Sequence, residues 1–158
     1  MTKVIGIFIC PEKGQPMREV EGVKVLAGVG LEGDRYAAGT GTYTGFPNIT
    51  DRSKCIRQVT IISRAALDEA NKSLPSPFSP IETRRNILVD HADLLSLIGK
   101  EFTIGNVRMR GFEDCAPCKI PGRMANKIGF EEAFAKRGGL RAEILSDGTI
   151  RIGDELVS

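Results

Sequence analysis

Two thiols at C-x-x-C spacing, Cys115 and Cys118 in Asp114-Cys115-Ala116-Pro117-Cys118-Lys119, are the residues of this sequence best suited to chemistry. The thiolate is both the nucleophile and the soft-metal ligand, and neighbouring cations favour it over the thiol. The surroundings are cationic. Between residues 108 and 141 stand eight Lys or Arg (Arg108, Arg110, Lys119, Arg123, Lys127, Lys136, Arg137 and Arg141) against four acids, whereas the whole chain carries only +2. A segment of that kind suits an anionic ligand and a reactive cysteine. Pro117 stiffens the approach to Cys118. Zinc needs a fuller set of Cys or His ligands, and only His91, Cys10 and Cys55 could complete one, none at a finger spacing. A thioredoxin-like pair is expected where a helix begins, and Lys119-Ile120-Pro121-Gly122 reads as a poor helix start. Cys10 and Cys55 read as small buried hydrophobes. His91, the sole histidine, sits between Asp90 and Ala92 and reads as part of an exposed turn.

A second cluster is Thr83-Arg84-Arg85-Asn86-Ile87, which sets two guanidinium groups and an amide at the entrance of a strand. Each guanidinium is a planar fork that matches phosphate oxygens two at a time. On composition alone, solvated arginines at a strand end are the more ordinary reading. Gly30-Leu31-Glu32-Gly33-Asp34-Arg35 has neither a P-loop ending nor the dinucleotide glycine spacing, so it reads as a Gly-rich turn.

The elements that must position these residues are short. Residues 4–9 form an apolar, β-branched strand bounded by Pro11 and Gly14, and residues 18–27 a second strand. Residues 38–53 read as a long loop, of the kind that often carries function. A strand over 58–62 leads to Ser63, which caps a helix over 64–73; Pro75, Pro77 and Pro80 follow it. Residues 86–89 are strand-like, and 93–98 a short turn or helix. Residues 101–104 and 107–112 pair across Gly105-Asn106 and deliver the chain to the cysteines. A helix over 130–136 stops at Gly138-Gly139, and 141–145 pairs with 149–152 across Asp147-Gly148. Many short strands and few helices point to a mainly β fold, a barrel or sandwich with helical insertions.

The chain has 158 residues, 41% hydrophobic and 27% charged, which is the size and composition of one globular domain spanning 1–158. A net charge of +2 supplies no global field for nucleic acid or an anionic membrane. No stretch approaches the roughly 20 apolar residues that span a bilayer. The apolar run after Lys3 meets Pro11-Glu12-Lys13 instead of a signal-peptide cleavage site. A cytoplasmic protein with free thiols is the expectation.

Taken in order, the motifs resemble the MOSC family, named for the C-terminal domain of molybdenum cofactor sulfurase. The resemblance is carried by Gly30-Leu31-Glu32-Gly33-Asp34-Arg35, Arg57-Gln58-Val59-Thr60-Ile61-Ile62-Ser63, Arg84-Arg85-Asn86-Ile87, residues 97–105, Cys115-Ala116-Pro117-Cys118, residues 137–142 and residues 148–154. It implies a distorted β-barrel with a few short helices, and a key cysteine at Cys118. In the sulfurase context that cysteine is proposed to carry sulfur passed on by a pyridoxal-phosphate cysteine desulfurase. In amidoxime-reducing relatives it ligates molybdenum held by a pterin cofactor. The resemblance thus implies molybdenum cofactor (molybdopterin) as ligand, although the isolated protein need not retain it. Arg84, Arg85 and Asn86 become candidates for the pterin phosphate, and Lys119, Arg123, Arg137 and Arg141 for the same mouth. Cys115 could resolve a Cys118 persulfide by forming a disulfide, or be a second polarizable residue. The sequence holds no counterpart of the extra barrel domain of the amidoxime reducers, nor a desulfurase or iron–sulfur module, so a separate sulfur or electron donor is implied. Three functions stay open: a cofactor-binding or sulfur-carrier protein, a molybdenum-dependent reductase of N-hydroxylated compounds, and a non-catalytic anion-binding or interaction module. Oligomeric state is left open.

Overall fold

A computed structural model of the chain describes residues 1–38 and 57–158. Nearly all of the loop expected over residues 38–53, and Cys55, lie outside them. The strands are β1 (Thr2–Ile9), β2 (Arg18–Glu19), β3 (Gly22–Leu26), β4 (Gly30–Leu31), β5 (Val59–Ser63), β6 (Ile87–Val89), β7 (Glu101–Ile104), β8 (Val107–Asp114), β9 (Leu140–Ile144), β10 (Gly148–Arg151) and β11 (Glu155–Val157). Four short helices accompany them among the described residues: α1 (Arg35–Ala38), α2 (Arg64–Asn71), α3 (Ile120–Ala125) and α4 (Phe130–Ala133).

Seven strands close a barrel in the order β1-β11-β7-β8-β9-β5-β6 and back to β1. All neighbours are antiparallel except β5 and β6. Around a closed ring each antiparallel neighbour reverses the chain direction, so an odd number of strands requires a parallel pair. A parallel pair cannot be joined by a tight turn. The connection instead runs over residues 64–86 through α2, which Ser63 caps by accepting from the Ala66 N–H at 3.3 Å, and a 3₁₀ turn at Pro80–Thr83. It ends at Arg84 in the left-handed region (φ 64°). The two site arginines therefore stand at the end of a crossover that the topology demands.

Both faces of β5 and β6 are covered, which is why β5 is buried at every position. Val59, Ile61, Ile87 and Val89 face the barrel interior with Val4, Ile7, Ile104, Met109 and Leu140. Ile62 and Leu88 alternate outward, into a second cluster with Phe8, Cys10, Leu67, Phe78, Phe130 and Phe134. There Phe130 and Phe134 stack at 4.5 Å and Phe78 meets both rings. This outer layer fixes α2 and α4 against the barrel, and with them the chain after the cysteines.

Four expectations are corrected. The strand over 18–27 breaks near Val20: β2 pairs with β1, whereas β3 joins β10 and β4 in a separate three-stranded sheet. The hairpin across Asp147-Gly148 does not form. β9 lies between β5 and β8, β10 leaves for β3, and the Asp147 carboxylate accepts from the Ala27 N–H at 2.8 Å instead of closing a local turn. Thirdly, a helix does start after the cysteines. Pro121 lies in the first turn of α3, where its missing N–H is harmless and its fixed φ helps. The helix expected over 130–136 is also shorter, since Lys136 adopts φ 61°.

Candidate functional site

The site grows from a bulge. β8 pairs Gly111 with Ala142 but Glu113 with Arg141, so one residue of β8 goes unmatched and the strand end is re-aimed. That shift puts the Arg141 guanidinium on Glu113 Oε1 at 3.0 Å and on Cys115 Sγ at 3.5 Å. Burial works against the charge on Arg141. The Cys115 sulfur, Tyr36 and Glu113 outweigh it and raise the guanidinium above its ordinary value.

Cys115 and Cys118 lie on the loop between β8 and α3, Cys115 buried and Cys118 half-buried. They line a cleft of about 280 Å³ with Arg35, Tyr36, Arg84, Arg85, Arg123 and Arg141. Arg85 is 7% exposed. Its Nε donates to Gly138 O at 2.6 Å, Nη2 to Cys115 O at 3.1 Å and Nη1 to Thr83 O at 3.4 Å. Arg84, also 7% exposed, donates from Nη1 to Gln15 O at 2.8 Å and from Nη2 to Cys10 Sγ at 3.4 Å. Every one of these acceptors is neutral, and among the described residues neither arginine has a carboxylate partner. A buried charge is ordinarily paired because its desolvation is expensive. Arg35 follows that rule, with Nη1 on Asp34 Oδ1 at 3.3 Å; Arg84 and Arg85 do not. The floor of the cleft thus carries two positive charges held in place by neutral groups.

Not every expected residue is there. Asn86 lies behind the cleft with its side chain fully engaged: Oδ1 accepts from the Thr60 N–H and hydroxyl, and Nδ2 donates to Phe8 O and Asp34 Oδ1. It ties β5, β1 and the turn before α1 together. Arg137 lines a different recess, with Ser63, Asp93 and Leu94. Lys119 lines a third, of about 380 Å³, which also holds Arg123 and shares Cys118 with the cationic cleft. Cys118 therefore stands on a divide between two recesses. Sequence reasoning missed Lys13, Arg35 and Tyr36 as cleft residues. Gly33, at φ 86°, turns the chain so that Asp34 is buried beneath Cys10 while Arg35 and Tyr36 reach the cleft; the Gly30-to-Arg35 run was the available signal. Among the described residues no group of three or more His, Cys, Asp or Glu is placed to hold a metal ion, and no helix is long and apolar enough to cross a membrane.

Residues 47–157 match the MOSC domain model. The chain belongs to the MOSC domain family. This is a molybdenum cofactor-associated family, and the mixed barrel found here agrees with it. Among solved structures the chain is similar to the YuaD protein from Bacillus subtilis (20% identity, TM-score 0.75, covering 99% of this chain and 94% of that one). It is also similar to YiiM from Geobacillus stearothermophilus (13%, TM-score 0.69, 99% and 74%) and YiiM from Escherichia coli (16%, TM-score 0.64, 99% and 70%). At these identities the likeness is one of fold. Comparison with curated proteins finds no match.

In this MOSC chain the segment after α3 is tied to the crossover by Lys127, whose Nζ meets Glu82 Oε1 and Pro77 O, each at 2.7 Å. Burial works against the Glu82 charge, but Lys127 and the Ser79 N–H and hydroxyl outweigh it and hold the carboxyl below its ordinary value. A lowered folded pKa stabilises above the unfolded value of about 4.3 and loses that contribution as pH falls through the folded one. Glu82→Gln is expected to cost less than about 1 kcal/mol at neutral pH. Urea unfolding should show the gap to wild type closing on acidification; a gap independent of pH would refute the linkage.

Proposed function

We propose that the cationic cleft receives the phosphate-bearing pterin of the molybdenum cofactor, and that Cys118 is the sulfur carrier that serves it. The observation that supports this reading is the pair of buried guanidinium groups, Arg84 and Arg85, without carboxylate partners among the described residues, beside a half-buried thiol. The residues present fit such a group. An anion seated over Arg84 and Arg85 supplies the compensation that the protein itself withholds. Their guanidinium planes are fixed in advance by Gln15, Gly138 and Cys115, so little rotamer entropy is left to lose. Arg123, exposed at the rim and without an ion-pair partner among the described residues, can follow the ligand in. When bound, the cofactor supplies the redox-active metal.

The part of Cys118 is to present sulfur. Its exposure lets a donor reach it, and a thiolate in cationic surroundings can bear a persulfide. A pyridoxal-phosphate cysteine desulfurase is the donor class that fits. Tyr36 accepts a hydrogen bond from Arg35 Nη2 at 3.3 Å, which leaves its own hydroxyl proton available to a ligand in the cleft.

The test is cofactor extraction and elemental analysis of protein made in a molybdopterin-producing host. Wild type is expected to carry pterin whose molybdenum content does not depend on Cys118, and Arg84→Met to lose at least about tenfold of the pterin, the scale of a charge-assisted phosphate contact. A well-folded wild type devoid of pterin would overturn the reading. Near-stoichiometric molybdenum that disappears in Cys118→Ser would replace sulfur carriage by metal ligation, as a reductase of N-hydroxylated compounds requires.

A further inference from the structure

Cys118 and Cys115 differ in access although they share one loop. Cys118 is half-buried and borders both the cationic cleft and the recess beyond it. Cys115 is 2% exposed and borders the cationic cleft. Its position is held from three sides. The Cys115 N–H donates to Gly139 O at 2.9 Å, its carbonyl accepts from Arg85, and its sulfur meets Arg141 Nη2. A bulky sulfur donor can approach Cys118 through the open recess, whereas Cys115, three residues away and bordering the same cationic cleft, is shielded from such a donor. That asymmetry is the arrangement of an attacking thiol and a resolving one. The helix start found at Ile120 also removes the sequence-based objection to a dithiol pair.

We propose that Cys115 is the resolving thiol of a Cys118 persulfide. The inference rests on Cys118 carrying sulfur, as argued above. The Cys115 sulfur attacks Cys118 Sγ, a Cys115–Cys118 disulfide forms, and the bond from Cys118 Sγ to the outer sulfur breaks. The outer sulfur leaves as hydrosulfide and takes the Cys115 proton. Two thiol sulfurs are oxidised and one sulfane sulfur is reduced by the same two electrons, so the step needs no other oxidant. An external dithiol reductant then reopens the disulfide. The product is an anion released into the cleft that Arg84 and Arg85 line. Cys115 thereby converts stored sulfane sulfur into delivered sulfide.

The test uses the reduced full chain under anaerobic conditions, loaded briefly with inorganic tetrasulfide and freed of excess reagent. Both cysteines fall on one tryptic fragment, residues 111–119. In wild type that fragment is expected to lose two hydrogens while sulfide appears in solution, and dithiothreitol should restore it. In Cys115→Ser and Cys115→Ala the fragment should keep an added sulfur on Cys118, and sulfide release should slow at least about tenfold, since the internal thiol has been removed. Circular dichroism of both variants checks the fold. Equal, persistent Cys118 persulfide in wild type and variants, without sulfide release, would overturn the resolving role and leave the carrier reading standing. Absence of persulfide on Cys118 in every protein would remove the carrier reading itself, and the resolving role with it.

Discussion

Arg85→Met is expected to lower stability by about 2–3 kcal/mol, several times the loss expected for Arg84→Met, about 1 kcal/mol or less. Two opposing effects decide the sign. Deleting a buried charge that has no carboxylate partner among the described residues relieves a desolvation penalty and favours the variant. Against that, Arg85 donates to three backbone carbonyls, of Gly138, Cys115 and Thr83, all in buried residues. Each oxygen left without a donor costs about 1–3 kcal/mol. The bonds join β9's approach, the cysteine loop and the crossover, so their loss also frees segments that are otherwise held together. Arg84 instead serves Gln15 O, on an exposed loop where water can replace it, and the Cys10 sulfur, which also contacts Glu12 O and Gln15 O. Its removal should be felt mainly by an anion. Arg85→Lys keeps the charge but cannot reach three acceptors with a planar fork, and it should resemble Met more than wild type in stability. Urea midpoints separate these outcomes. A neutral or stabilising Arg85→Met would mean that desolvation outweighs all three bonds, and that the cleft is held against its own charge.

The sequence showed what local chemistry could show. Gly105-Asn106 between alternating apolar runs identified the β7–β8 hairpin, and that hairpin does deliver the chain to the cysteines. Ser63 was legible as a cap because a cap is decided within four residues. Asp147-Gly148 looked equally good as a turn, yet its carboxylate bonds to Ala27, 120 residues away. No local pattern records that β9 is claimed on both sides, by β5 and β8, before β10 arrives. The same limit governs the site. Arg84 and Arg85 looked like solvated residues at a strand end because all their partners but Thr83 lie at separations of 69, 74, 53 and 30 residues. Only barrel closure brings those carbonyls over them. Asn86 shared the motif and not the cleft, since its side chain is spent on Thr60, Phe8 and Asp34. Lys119 and Arg137 were grouped with the mouth by their nearness in sequence, and the loop geometry sends them to other recesses.

Gly139 shows how little freedom the fold leaves at this mouth, and Gly139→Ala is expected to cost about 4 kcal/mol or more, enough to leave most of the chain unfolded at moderate urea. Gly139 has φ 101°, where a side chain is strained whatever the space. A Cβ there would also fall 2.1 Å from Ile61 O and 3.3 Å from Ile62 Cα, backbone of the adjoining strand β5. Backbone in a paired strand cannot step aside as a side chain can. Leu140 is in register with Ile61, so relief would require β9 to shift against β5 and carry Arg141 away from Cys115. Gly14→Ala is the control: φ is 79° and nothing lies within 4 Å of the added carbon. Left-handed strain alone should cost about 1–2 kcal/mol there. If urea unfolding gave the two variants similar midpoints, the close approach of residue 139 to β5 would not be the constraint that fixes the cysteine loop. A far larger loss at Gly139, with reduced thiol protection at Cys115 in the surviving folded fraction, would establish the β5–β9 seam as what holds Cys115 in place.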